Sequence, residues 1–192
     1  MTQRAHKLFT PEEYLAQEEV AQTKSEFFRG EIFATAGGTP QHNAIAANAV
    51  AELRQALRRF PCQTFGSDQR ILVQENGLYT YPDVVVVCGR LQFAPKRKDT
   101  ITNPVLIVEV LSDATRDYDR GAKFGLYRAI PTLRHYLLID SSAVHVEYYR
   151  RQNGDWLFNA YTRLDDVIAI LLESGAIELR VRDLYDKVEF EA

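Results

Sequence analysis

Two carboxylates sit in the two most apolar stretches of the chain: Asp83 in Tyr81-Pro82-Asp83-Val84-Val85-Val86-Val87, and Glu109 in Val105-Leu106-Ile107-Val108-Glu109-Val110-Leu111. Such runs read as buried strands, and an ionised carboxylate inside one is costly unless a cation or a strong donor meets it. Two of them suggest one shared partner, most simply a divalent metal. A fold that satisfies both must bring the two strands to that partner.

At 192 residues, 46% hydrophobic and 26% charged, the chain reads as one globular domain over residues 1–192, able to bury a full core. No apolar run approaches the roughly 18 residues of a membrane span, and the opening Met-Thr-Gln-Arg-Ala-His-Lys lacks the apolar stretch of a secretory signal, so a cytoplasmic location is expected. Cys62 and Cys88 lack metal-motif spacing, and Cys88 closes the Asp83 strand; both are expected as buried, reduced thiols. The net charge of −3 argues against a uniformly basic nucleic-acid binder but says little about a local groove. Each positive cluster (Arg54/Arg58/Arg59, Lys96/Arg97/Lys98, Arg116/Arg120/Lys123, Arg150/Arg151) taken alone reads as a solvated face or loop.

No internal repeat, low-complexity tract or linker divides the chain. Thr10-Pro11-Glu12-Glu13 is a capping-box signature that opens a short helix through about residue 19. Residues 26–33 read as a hairpin turning near Arg29-Gly30, and a long helix follows Thr39-Pro40 with Ile45, Ala49, Leu53, Ala56, Leu57 and Phe60 on its apolar stripe. A meander of strands with a turn at Asn76-Gly77 leads to the valine run. After Val105–Leu111 come a polar break, a helix over 116–129 stopped by Pro131, and a strand from Arg134 to Asp140. Strand, helix, strand predicts a parallel crossover. Beyond it, Gln152-Asn153-Gly154-Asp155 joins two strands as a hairpin, and a short helix ends the chain near Arg182–Tyr185.

The crossover brings Lys123 into view. Glu109 lies roughly 7 to 10 Å back from its strand end, and Lys123 about seven residues into a helix running the other way, roughly 10 Å back as well. The two share a level. Asp119, Lys123, Leu126 and Ile130 form one helical row, which sets Lys123 at the edge of the apolar face, within reach of a phosphate held by a metal on Asp83 and Glu109. The plainer alternative is a surface ion pair between Asp119 and Lys123.

Pro82-Asp83 and Glu109-Val110-Leu111 resemble the core of the PD-(D/E)xK nucleases. Glu13-Tyr14-Leu15, Gly30-Glu31-Ile32, His42-Asn43, Tyr81-Pro82-Asp83-Val84, Val108-Glu109-Val110-Leu111-Ser112 and Asp119 through Lys123 to Tyr127 are similar to the Uma-two family of restriction endonuclease-like proteins, over a core of about residues 9–185. The resemblance implies an α/β fold, a restriction endonuclease-like mixed β-sheet flanked by helices with additional hairpins. It also implies metal-assisted hydrolysis of DNA phosphodiesters. Asp83 and Glu109 would be metal ligands, with the Val110 carbonyl a third, and hard oxygen donors suit Mg²⁺ or Mn²⁺. The position that carries the superfamily lysine, two residues after Glu109, is Leu111; the resemblance points to Lys123 on the next helix as its replacement.

Glu31 is a further candidate for the metal site, against an ordinary exposed strand residue. His42 is a candidate for phosphate contact or proton transfer, against a local helix-start contact. Tyr127 reads as core. Serine-hydrolase, P-loop, dinucleotide and zinc-protease motifs are absent. The competing reading is a degenerate nuclease fold retained as a module that binds DNA or a protein. Cutting both strands of a duplex with one site per chain calls for two sites or two visits, so a homodimer is expected.

Overall fold

The computed structural model describes residues 7–35 and 37–190. Local chemistry starts both long-range helices as their sequences predict. In α1 (Pro11–Glu18), the Glu13 amide donates to Thr10 Oγ1 and the Thr10 amide to Glu13 Oε2, closing the capping box. In α2 (Pro40–Ala56), Pro40 occupies the first turn and Thr39 Oγ1 accepts from the His42 amide. Between them, β1 (Ser25–Phe28) and β2 (Glu31–Ala34) form the hairpin, with Arg29 and Gly30 both at positive φ.

After α2 come β3 (Cys62–Gly66), β4 (Arg70–Val73), β5 (Leu78–Thr80), β6 (Val84–Cys88), β7 (Thr100–Ile101) and β8 (Leu106–Leu111). The crossover helix is built in three parts: α3 (Arg116–Tyr118), a π-helical turn (Asp119–Lys123) and α4 (Phe124–Tyr127). It feeds β9 (His135–Asp140), which pairs in parallel with β8 from Leu106 opposite His135 to Leu111 opposite Asp140. Then follow β10 (Val146–Gln152), β11 (Asp155–Tyr161), β12 (Val167–Leu172), β13 (Gly175–Arg180) and α5 (Val181–Leu184).

The central sheet runs β11-β10-β9-β8-β6-β3, and a second sheet runs β2-β1-β5-β4-β7. Period-two alternation divides the central strands between two cores. Val84, Val86, Leu106, Val108 and Val110 face Ile45, Ala49 and Leu53 of α2 and the β12–β13 hairpin. Val85, Val87, Ile107 and Leu111 face Phe124 and Tyr127 of the crossover helix and Ile71, Val73 and Leu78 of the second sheet. Strands covered on both faces have no solvent side, which is why they read as unbroken apolar runs. Burying each Val, Leu or Ile contributes about 1.5–3 kcal/mol relative to exposure. A third cluster, Tyr14, Phe27, Leu72 and Tyr79, seals α1 onto the second sheet.

Two expectations are corrected here. Cys62 and Cys88 are joined in a disulfide. The expected cellular compartment carries no information on pairing, whereas the antiparallel ladder of β3 and β6 sets Cys62 directly opposite Cys88. Asp83 lies one residue outside β6 rather than inside it, and its side chain keeps 16% of its surface exposed. The β12–β13 hairpin has no counterpart in the sequence reading. Among the described residues no helix is long and apolar enough to cross a membrane.

Candidate active site

Glu109 shares a strand face with Ile107 and Leu111, so its side chain leaves β8 on the face covered by the crossover helix, where it is 3% exposed. β6 pairs with β8 through Val84 opposite Val108, and continuing that register by one residue sets Asp83 opposite Glu109. The Val110 amide donates to Asp83 Oδ2 at 2.7 Å, fixing the carboxylate where its strand begins. Sequence placed the two acids on separate strands; the antiparallel ladder makes them neighbours.

Lys123 arrives from the other side. Its Nζ lies 3.0 Å from Glu109 Oε1, 3.0 Å from Glu26 Oε1 and 3.5 Å from Asp119 Oδ1, with 8% of the side chain exposed. The pair with Asp119 is therefore buried rather than a surface contact. Tyr127, four residues on, donates its hydroxyl to Glu109 Oε1 at 2.7 Å, and the rings of Tyr118 and Tyr127 lie within 6 Å of the ammonium. Arg116 and Arg120 of the same positive cluster point elsewhere, pairing with Asp140 of β9 and Glu147 of β10 and pinning the helix to the sheet.

His42 sits three residues into α2 with Nε2 3.4 Å from Asp83 Oδ2, so the candidate histidine is more than a helix-start contact. Gly38 makes room for it: a Cβ there would stand 2.5 Å from His42 Nδ1. Glu31 is not brought in. It is exposed at the start of β2, opposite Phe28. The acid from this hairpin that reaches the site is Glu26 on β1, buried, bound to Lys123 and accepting the Thr80 hydroxyl. Its signal was the one carried by Asp83 and Glu109, a carboxylate among apolar strand residues, in Ser25-Glu26-Phe27-Phe28.

One ammonium facing Glu26, Glu109 and Asp119 leaves the cluster short of positive charge. Burial pushes the Glu109 carboxyl up to about 8; Lys123 opposes the shift, while Asp119 and Asp83 add to it. Asp119 is raised for the same reasons. Burial alone would lower Lys123, but Glu109, Glu26 and Asp119 together hold it well above the ordinary lysine value, so it stays charged. Burial would also lower His42; the Asp83 hydrogen bond and charge outweigh it and raise the imidazole above its usual value.

No three His, Cys, Asp or Glu side chains among the described residues converge into a cage for a metal ion. The donor set still fits a hard cation. Asp83 and Glu109 offer carboxylate oxygens from adjacent positions inside an acidic excess, and Mg²⁺ is commonly held by one or two carboxylates with water and substrate phosphate completing its shell.

A family model described as "Putative restriction endonuclease", Uma2, matches residues 11–182. This chain belongs to the Uma2 family. Two relatives of this Uma2 chain come from Synechocystis sp. (strain ATCC 27184 / PCC 6803 / Kazusa). The uncharacterized protein sll1609 is 41% identical over 153 residues, 79% of this chain and 86% of that protein. The uncharacterized protein slr1290 is 40% identical over 184 residues, 94% of this chain and 93% of that protein. The Uma2 chain also superposes with a TM-score of 0.72 on a crystal structure from Anabaena variabilis ATCC 29413 described as "a putative nuclease belonging to DUF820". The two are 17% identical over 93% of this chain and 98% of the other. That likeness fixes the fold as α/β and restriction endonuclease-like.

Proposed function

We propose that this Uma2 chain is a metal-dependent DNA endonuclease of the PD-(D/E)xK type, with its lysine carried on the crossover helix. The observation that supports this most is the 3.0 Å contact between Lys123 Nζ and Glu109 Oε1. A buried ammonium beside a carboxylate that faces Asp83 restores the charge constellation that Leu111 leaves incomplete. Asp83 and Glu109, with the Val110 carbonyl, would hold Mg²⁺ or Mn²⁺, which supplies polarisation of the phosphate and a more acidic bound water.

The chain's own groups do the rest. Lys123, kept protonated by its three carboxylates, directs a fixed positive charge at the developing charge of the phosphate. Tyr127 holds one Glu109 oxygen in place, and the other oxygen is left for binding. His42, oriented by Asp83 and Gly38, stands at the more open rim of the cluster and would hold or pass a proton at Nε2. Glu31 has no part in this scheme.

The test is plasmid nicking with Mg²⁺ or Mn²⁺, with EDTA controls, for the wild type and Asp83→Ala, Glu109→Ala and Lys123→Ala. Metal-dependent nicking that disappears in all three supports the reading. Folded protein that binds DNA without cutting it under either metal replaces it with the degenerate binding module, a reading favoured by how tightly the three carboxylates enclose Lys123.

A further inference from the structure

We propose that the groove between α2 and β3 holds the sugar-phosphate backbone of DNA beside the site, an inference that rests on the DNA reading above. The groove encloses about 860 Å³, with Ala47, Val50, Ala51, Arg54 and Arg58 on one wall and β3 on the other. Its lining holds two arginines and no acidic residue, in a chain whose net charge is −3. Arg70, Arg97, Arg116 and Arg120 are each met by a carboxylate. Arg54 and Arg58 are exposed, and neither has an ion-pair partner among the described residues. The cluster that taken alone reads as a solvated face therefore borders a concave strip of uncompensated positive charge.

Helical spacing connects this strip to the site. Asn43, Ala47, Val50, Ala51 and Arg54 recur at three- and four-residue steps along one face of α2, and Arg58 follows in the turn after it. The row begins beside His42, whose imidazole meets Asp83. β3 converges on the same end: Gly66 pairs with Val84, the residue after Asp83, and a Cβ on Gly66 would lie 3.9 Å from Val50 Cγ2. At the far end stands Phe60, against which the β12–β13 turn packs at Gly175. From Asn43 to Arg54 the helix rises about 17 Å. Arg54 is thus too distant to touch the reacting phosphate, but it is within several nucleotide steps of it at about 3.4 Å each. The two arginines bind the strand and take no part in the chemistry.

β3 adds a main-chain donor. The Gly89 amide donates to the Pro61 carbonyl, one step beyond the Cys62–Cys88 pair. Alternation then gives the main-chain groups of Gln63 and Phe65 to β6 and turns the Thr64 amide away from it, where no described hydrogen bond engages it. Arginine side chains and free amides are the groups that hold phosphate oxygens and fix a protein's position on DNA. Ala47 and Ala51 keep the helical wall low between the arginines and the site. An acidic protein segment would also match the charge; continuity with the carboxylates of the site selects the phosphodiester.

Fluorescence anisotropy of a labelled DNA duplex, titrated with the full chain in EDTA over a range of salt, reads binding apart from cleavage. Each phosphate contact contributes about 0.9 to the slope of log affinity against log salt. Arg54→Ala combined with Arg58→Ala should lower that slope by about 1.8, roughly a 60-fold loss of affinity at about 0.1 M salt. Arg128→Ala combined with Arg163→Ala removes the same charge from the crossover-helix face and from the loop after β11, and should change the slope far less. Ala51→Glu sets a carboxylate in the groove and should weaken binding about tenfold, whereas Ala51→Gln, of similar size, should leave it unchanged. A wild type without affinity for DNA, or equal losses in the groove and control pairs, would overturn the proposal. So would undiminished DNA affinity in the Arg54/Arg58 variant, which would give the groove to an acidic protein segment. The nuclease reading fails separately: DNA held through Arg54 and Arg58 yet never nicked in Mg²⁺ or Mn²⁺ removes the cleavage and keeps the groove. Circular dichroism checks that these surface variants are folded.

Discussion

Replacing Glu109 by glutamine keeps the shape of the side chain and removes its charge, which isolates the electrostatic cost of the site. Burial raises the Glu109 carboxyl from its ordinary value of 4.5, which applies in the unfolded chain, to about 8 in the fold. Between those values the folded protein holds a proton that the unfolded chain has given up, so stability present below about pH 4.5 is lost as pH rises through about 8. At about 1.4 kcal/mol per pH unit, the displacement corresponds to at most about 5 kcal/mol, close to the whole stability of a marginal domain. His42 is raised in both proteins, and the part of the Asp119 shift that comes from the neighbouring Glu109 charge disappears with it, adding to the difference in the same direction. Urea unfolding followed by the fluorescence of Trp156, in EDTA from about pH 5 to about pH 9, measures the difference. The wild type should weaken steeply with pH, and Glu109→Gln should weaken far less and become the more stable of the two in alkali, while losing any metal-dependent cleavage. Parallel pH profiles for the two proteins would refute the account of an under-neutralised carboxylate.

Tyr127→Phe removes the hydroxyl bound to the buried Glu109 oxygen and should cost about 1–3 kcal/mol in denaturant unfolding. Gly38→Ala drives a methyl against the His42 ring, so NMR titration should find the imidazole returned toward its ordinary value of 6.5; an unchanged titration would separate His42 from Asp83. Reducing the Cys62–Cys88 bond, which spans 26 residues, should cost about 3 kcal/mol and lower the melting temperature in the presence of dithiothreitol.

The elements legible in the sequence are those specified by local chemistry. The Thr10 capping box, the Asn153-Gly154 turn, the stripe Ile45-Ala49-Leu53 and the crossover between β8 and β9 all depend on residues near each other in the chain. The placement of Lys123 beside Glu109 belongs to the same class, because one crossover fixes both. What escaped depends on long-range register. The Cys62–Cys88 bond follows from how β3 meets β6, and Glu26 reaches Lys123 only because the second sheet packs over the crossover helix. Glu26 and Glu31 look alike along the chain, and only the packing of their hairpin separates a buried acid from an exposed one. β12 alternates buried and exposed residues, yet Ala169 and the exposed Val167 and Leu171 are apolar, so its solvent face carries no polar signal.

The π-helical turn makes the site depend on chain length as well as on residue type. Four steps along an α-helix overshoot one turn by about 40°, and a wider π turn falls short over the same four steps. The two deviations offset each other between Asp119, Lys123 and Tyr127, so of three side chains spaced by four, Lys123 and Tyr127 meet at the Glu109 carboxylate while Asp119 closes on the Lys123 ammonium. Deleting one residue from Asp119–Lys123 would restore a regular helix while swinging everything before the deletion by about 100° relative to Tyr127. A change that leaves every named side chain present would then disassemble the cluster, and a single-residue gap in a related sequence would mark its loss as plainly as a substitution of Lys123.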